Sequence, residues 1–307
     1  MAHAAFFEKI FTKPHLFKRI TTFSIEEFHL LVEKLEPEWH DIERARLEAR
    51  KERIHRVGQG RHYELDTFIN LLLATTMYMR TSLGYELLGL LFHIDGTTVK
   101  RVVKRVTPLL QDRFIPITPL TKQKRRTNKL DDLLKEYPEL ADVIFDGTEL
   151  PTNKPIRRES QQYSAKKKRH AKKVQIALDK KTKLIIGVSP PAKGKMHDKT
   201  QLEKTGWDAK LSQNVTRWAD LAYLGMPHNT WRIPQRKPRM KALSRKQKRH
   251  NRQIAKERII VEHSIRGIKI FRRVGETIRI KQDEFLFTIL LASANLHNFK
   301  RLVRQGI

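Results

Sequence analysis

Residues 141–150 read ADVIFDGTEL. An apolar run, Val143-Ile144-Phe145, stops at an acid, and a stretch this short predicts a strand that ends on Asp146. A carboxylate so placed projects from a sheet into a cleft. Downstream, KKVQIALDKKTKLIIGVSPP (172–191) predicts two strands joined by a Lys-rich turn. HDKTQLEKT (197–205) is a short helix that Asp198 can cap. NVTRWADLAYLG (214–225) is a further strand or strand-end carrying Asp220, and NTWRIP (229–234) is another. A long helix over about 243–272 and an apolar helix over 285–304 follow. The order β-β-β-α-β-β-α-α predicts a mixed sheet covered by helices.

Upstream the period changes from strand to helix. Residues 24–35 open with a capping box, Ser24 with Glu27, and residues 41–56 continue as a charged helix. Three more helices are expected at 64–79, 84–92 and 97–111, with Asp95-Gly96 as the turn before the last. A short apolar helix, a tight turn and a second helix with basic residues at helical spacing is the layout of a helix-turn-helix. Lys100, Arg101, Lys104 and Arg105 would line its outward face and read DNA; a plain assembly domain is the structural alternative. Residues 114–129 hold two prolines and then five Lys or Arg, which marks a boundary, and DLLKEYPEL (132–140) reads as a short helix. The expected division is an all-helical domain over 1–118, a basic linker with a short helix over 119–137, and a mixed α/β domain over 138–307.

Composition narrows the function. The 307 residues contain no cysteine, which excludes disulfides and thiolate metal sites and fits a cytoplasmic setting. The apolar runs around 68–79 and 285–296 are too short to span a bilayer, and the charged N-terminal stretch does not read as a signal peptide. The 13 histidines show no paired spacing that would suit zinc. Net charge is +30 and unevenly spread: residues 1–150 carry 24 Lys and Arg against 22 Asp and Glu, whereas residues 151–307 carry 39 against 11. Such asymmetry predicts a polyanion, nucleic acid before membrane, lying against the second half.

Within that basic half, residues 221–275 contain two acids only, Glu257 and Glu262. On a helical projection Arg258, Arg266, Lys269 and Arg273 fall within about 40° of Glu262, and isoleucines, Val261 and Phe271 cover the remaining circle. The helix should therefore be buried nearly all round, with one polar stripe. A ladder of i,i+4 ion pairs would explain part of this, but one acid cannot pair four bases, and buried surplus charge calls for an anion. Phosphate suits the bases, and a metal suits the acid. Phosphodiester cleavage is served best by two divalent ions about 3.5–4 Å apart, and Mg²⁺ takes hard carboxylate oxygens. Asp146, Asp220 and Glu262, arriving from three separate elements, are the expected ligands.

The spaced acids in IFDGTE, WADLAYLG and RIIVEHSIRGIK resemble the DDE motif of bacterial insertion-sequence transposases, in particular the large IS-five-like group. The run YSAKKKRHAKKVQ (163–175) is similar to a basic signature of that group, with Ala165 where Gly is usual. Arg258, Glu262 and Lys269 match its C-terminal signature, with Ala255 where related groups place an aromatic. The resemblance implies an RNase-H-like catalytic domain, Mg²⁺ or Mn²⁺ as a pair of ions on Asp146, Asp220 and Glu262, and strand cleavage and transfer at transposon ends. It also implies double-stranded DNA as partner, both terminal inverted repeats and target, with a homodimer on the DNA and a nucleoid-associated location. Arg258, Arg266 and Lys269 would bind DNA, as would Lys166, Lys167, Lys168 and Arg169. His197 and Asp198 form a pair similar to ones in this family, and a capping Asp198 is expected over an accessory ligand. Trp207, Trp218 and Trp231 are expected in the core. A silent DNA-binding descendant and a basic RNA-binding structural protein are the rival functions.

Overall fold

The computed structural model describes residues 9–49, 65, 67–111, 118–119, 140–154, 162–164, 167–208 and 211–306. The basic linker, apart from Pro119, the short helix expected over 132–140, apart from Leu140, and Ala165 and Lys166 lie outside the described residues.

The central strand is β2 (Asp142–Pro151). It pairs antiparallel along its whole length with β4 (Arg169–Asp179) and in parallel, over Asp142–Ile144 alone, with β7 (Thr216–Trp218). Beyond them lie β5 (Ile185–Val188) on one side and β8 (Trp231–Arg232) on the other, and the two-residue strand β1 (Thr118–Pro119) adds to β5. Short strands β3 (Tyr163–Ser164) and β6 (Ala192–Lys193) pair with β4. The sheet is mixed, as the order of elements predicts. One expectation is corrected: β2 does not end on Asp146 but runs on to Pro151, because β4 supplies ladder partners for every residue to that point.

Alternation along β2 sorts its side chains between two layers. Ile144 and Leu150 face a core shared with the long C-terminal helices, and Val143 and Phe145 face a second core with Leu202, Trp207, Tyr223 and Trp231. Trp207 stands edge-on to Phe145 and Trp231 stacks on it at 5.4 Å, so both are core residues. Trp218 is half-buried; it donates to Asp142 Oδ1 at 2.6 Å and lies under Lys180.

The helical region contains α1 (Pro14–Thr21), α2 (Ile25–Glu48), α3 (Phe68–Thr81), α4 (Tyr85–Phe92) and α5 (Gly96–Leu109). The Ser24–Glu27 capping box is formed as read. The two helices expected at 24–35 and 41–56 are one, since α2 carries Pro37 internally while Phe28, Leu31, Leu35 and Trp39 hold one buried stripe across it. In the helix-turn-helix, Asp95 caps α5 by accepting from Thr97 N at 2.7 Å. Gly89 is required there: a Cβ would stand 2.5 Å from the Ile94 carbonyl oxygen. Arg105 does not face outward. It pairs with Glu43 of α2 and packs over Trp39, because α5 turns that side toward α2. Lys104 lies over Phe285, while Lys100 and Arg101 are exposed.

On the sheet side, α6 (Asp198–Thr205) covers one face, and α7 (Arg245–Lys269), α8 (Arg272–Gly275) and α9 (Asp283–Gln305) cover the other. The expected 243–272 helix thus breaks after Lys269. It is also buried on one side only, through Ile254, Val261, Ser264, Ile265 and Ile268, and Ile259 and Ile270 are 46% and 45% exposed. In its N-terminal half Arg245, Lys246, Lys248, Arg249, Arg252 and Lys256 are exposed. Among the described residues, no helix is long and apolar enough to cross a membrane.

The edge of β5 is taken by β1 at Gly187 and Val188 and closed by a side chain at Ile185. Asn298 of α9 accepts from Ile185 N at 2.9 Å and donates to Ile185 O at 2.8 Å, doing for the strand what a neighbour would do. Asn298→Ala leaves two buried backbone groups unpaired and should cost about 2–4 kcal/mol in urea unfolding.

Candidate active site

The site forms where β7 stops. β2 and β7 run parallel to Ile144 and Trp218, after which the chain leaves β7 for a 3₁₀ turn over Leu221–Tyr223; among the described residues β2 then has no strand on that side until Ile278 meets its end at Pro151. A cleft beyond the carboxyl ends of parallel strands is where α/β sheets bind ligands. Asp146 stands two residues past the split on β2. Asp220 stands at the turn, where its carboxylate accepts from Ala222 N at 2.8 Å.

Asp146 is largely buried and accepts from Arg258 Nη2 of α7 and from Gly147 N, each at 3.0 Å. Burial pushes its carboxyl up to about 6; Arg258 pulls in the opposite direction, and the nearby Asp220 adds to the rise. Two acids from separate elements are therefore within electrostatic reach, and the one attached guanidinium does not compensate the buried charge. Lys269 of the same helix face donates to Glu149 O at 3.0 Å. Its ammonium pKa is lowered by burial first and then by Arg169, with Lys167 adding to the effect. Glu262 lies one turn beyond Arg258, between it and Lys269 on that face, and is exposed. Among the described residues no three His, Asp or Glu side chains form a ready-made metal cluster.

The other side of β2 holds Asp198, read from the sequence as a cap, together with residues that the sequence did not single out. Asp198 does not cap α6. It is the first helical residue, its carboxylate accepts from Lys173 at 3.0 Å, and His197 occupies the cap position with its side chain exposed. The Asp198 carboxylate rests against Gly147, where a Cβ would come within 2.9 Å of Oδ1. Directly opposite Gly147 on β4, the fully buried Gln175 donates to the Asp198 backbone carbonyl at 2.6 Å and to the Tyr223 hydroxyl at 2.9 Å. Tyr223 is itself fully buried, and its phenol pKa is raised by burial and then by Asp198, Asp146 and Asp220 in turn. These residues form the floor of the site. Gly147 in IFDGTE and Tyr223 in WADLAYLG belong to the same short motifs as the acids, which was the available signal, but Gln175 had none.

The donor set suits a hard divalent cation. It consists of carboxylate oxygens, Mg²⁺ is commonly held by one or two of them together with substrate oxygens, and Asp146 is short of positive charge. Buried Arg258 Nε and Glu149 Oε2 also have no hydrogen-bond partner among the described residues. Of the basic residues read from the sequence, Lys167, Lys168, Arg169 and Arg266 are exposed around this region.

The raised carboxyl of Asp146 has a measurable consequence. Its folded value, about 6, exceeds the ordinary 3.8, so the ionised form is penalised by folding above pH 6, and the penalty vanishes below about pH 4. Asp146→Asn should therefore raise the melting temperature of metal-free protein at pH 7, with the gain fading as pH falls to 4. Thermal melts across that range check it.

The DDE superfamily endonuclease family matches residues 145–298, and the helix-turn-helix of DDE superfamily endonucleases matches residues 63–116. A protein of Microchaete diplosiphon, named as a transposase for insertion sequence element IS702, is 28% identical over 215 residues, 69% of this chain and 74% of that protein. A protein of Streptomyces albus G, named as a transposase for insertion sequence element IS112, is 27% identical over 251 residues, 81% of this chain and 86% of that protein. No solved structure matches the chain significantly. The catalytic-domain match alone covers half of the chain and contains Asp146, Asp220 and Glu262, and the chain belongs to the DDE superfamily endonucleases.

Proposed function

We propose that this endonuclease is an insertion-sequence transposase that cuts DNA at its element's terminal inverted repeats and joins the freed 3′-hydroxyl to target DNA. The observation that carries the reading is the pair Asp146 and Asp220, brought together at the split between β2 and β7 beneath a helix rich in positive charge. Both relatives described above carry the name transposase, which supports the same conclusion.

Asp146, Asp220 and Glu262 would hold two Mg²⁺ or Mn²⁺ ions. When bound, these would activate the attacking oxygen and neutralise the leaving one. The protein's own groups do the remaining work. Arg258 and Lys269, anchored on β2, position phosphates on either side of Glu262. Lys173 holds Asp198, and Tyr223 with Gln175 fixes the floor against which Asp146 stands. Arg266 and the basic run Lys166–Arg169 add backbone contacts. A transposon has two ends, so a homodimer on DNA, one copy per end, is the working assembly.

Incubation with labelled DNA flanking its own gene and Mg²⁺ should give a nick at a repeat end. Glu262→Gln should abolish the nick and keep DNA affinity, because binding rests on the bases; normal cleavage by this variant would remove the metal role.

End recognition is assigned to the exposed positions of α5. Lys100→Ala with Arg101→Ala should lower the preference for end over scrambled duplex by about 1–3 kcal/mol per lost base contact. Non-specific binding by the second half should persist, and competition at fixed salt measures the ratio. Arg105 is left in place, since it holds α5 to α2.

A further inference from the structure

A cleft of about 590 Å³ lies at the seam between the helical region and the sheet. Its walls come from both: Thr81 and Ser82 at the end of α3, Pro151 at the end of β2, Arg169 at the start of β4, and the segment that follows α7. That segment is fixed in place. Ile278 N donates to Pro151 O at 2.7 Å, and Ile278 bridges Thr152 in parallel, so Arg279 is held at the end of β2 by backbone hydrogen bonding.

Three arginines line the cleft, and they are not equivalent. Arg273 has structural work: it donates to the carbonyls of Tyr78 and Leu83 and lies 3.8 Å over the Tyr78 ring, tying the helices to the sheet. Arg169 and Arg279 are exposed and have no acidic partner among the described residues. The acid lining the cleft, Glu276, is already engaged by Arg272 at 3.3 Å. Two guanidiniums without an ion pair among the described residues thus share one recess, and the acid beside them is engaged by Arg272.

The cleft lies along β2 from the candidate active site, and Arg169 in its wall is within electrostatic reach of Lys269. Along β2, Arg258 reaches Asp146, Lys269 reaches Glu149, and Arg169 and Arg279 stand at Pro151. Five residues of strand span about 17 Å, and one small anion would satisfy only a fraction of such a track. A polyanion with regular spacing satisfies all of it. At about 3.4 Å of axial rise per nucleotide, the same length corresponds to about five nucleotides of one DNA strand.

We propose that this seam cleft is a second DNA-backbone site. Arg169 and Arg279 bind phosphate on the order of five nucleotides from the scissile one, and the Thr81 and Ser82 hydroxyls complete the wall. The proposal rests on the reading of the chain as a DNA-cutting enzyme. It gives the helical region a direct part in aligning the DNA that the sheet cleaves.

The test compares full-length protein with the double variant Arg169→Ala/Arg279→Ala, both positions being exposed. Loss of two phosphate contacts should flatten the plot of log affinity against log salt by about 1.8. A control pair at the far end of β4, Lys181→Ala/Lys183→Ala, should leave the slope unchanged. Methylphosphonate substitution, neutralising one phosphate at a time in an end duplex, should weaken wild-type binding at about the fifth phosphate from the cut and leave the double variant indifferent there. A double variant with the wild-type slope and profile overturns the cleft, as does an equal loss in the control pair, which would reveal diffuse charge only. If wild type still nicks its end DNA in those cases, the transposase reading stands without the cleft. If wild type neither nicks nor binds DNA in a salt-dependent way, both fall.

Discussion

The buried carboxylate of Asp146 is the constraint around which the rest is arranged. It sits in the middle of the central strand, past the point where one neighbour has ended, and burial lifts its carboxyl to about 6 in spite of a direct contact with Arg258. An acid held this way is costly to a fold unless positive charge is brought to it. The chain meets that need from α7, whose register places Arg258 on Asp146 and Lys269 on Glu149, three residues further along the strand. The helix therefore lies along β2 with Arg258 and Lys269 turned inward at this edge, Glu262 and Arg266 exposed, and its apolar stripe on the sheet.

The second layer serves the same carboxylate from behind. Gly147 has no side chain, which lets Asp198 approach the strand; Gln175, its cross-strand partner, ties Asp198 to Tyr223. A buried phenol and a buried amide in a catalytic floor are stiff because each has few alternative partners at low dielectric. Rigidity here matters more than stability, since groups that hold a phosphodiester act by being in place before the charge develops.

The helical region is attached to this machinery by arginine as well as by apolar contact. Arg273 and Arg80 reach carbonyls across the seam, and the shared core runs from Phe17 and Phe28 through to Phe299. The nearly neutral first half thus carries the strongly basic second half without repelling it, and the surplus charge is left for the anion. The two halves differ in net charge by 26, from +2 to +28.

Much was legible from local pattern. Strand and helix periods, the capping box and the acids in IFDGTE, WADLAYLG and RIIVEHSIRGIK are short-range features, and the mixed sheet covered by helices follows from their order. Helix joins and strand ends were not legible. The helices expected at 24–35 and 41–56 are joined through Pro37, because the buried stripe that carries α2 across it is a property of the whole helix. β2 runs past Asp146 because β4 offers partners, a fact of pairing rather than of the strand's own residues. Arg105 read as a DNA contact by its charge, and only the approach of α2 assigned it to Glu43 and Trp39. Asp198 read as a cap because it begins a helix, yet Lys173 and a side-chain-free Gly147 drew its carboxylate to the sheet instead. Sequence determined which residues carry charge, turn or apolar surface. Tertiary structure decided which charges find partners among the described residues and which do not, because pairing depends on distances between segments far apart in the chain.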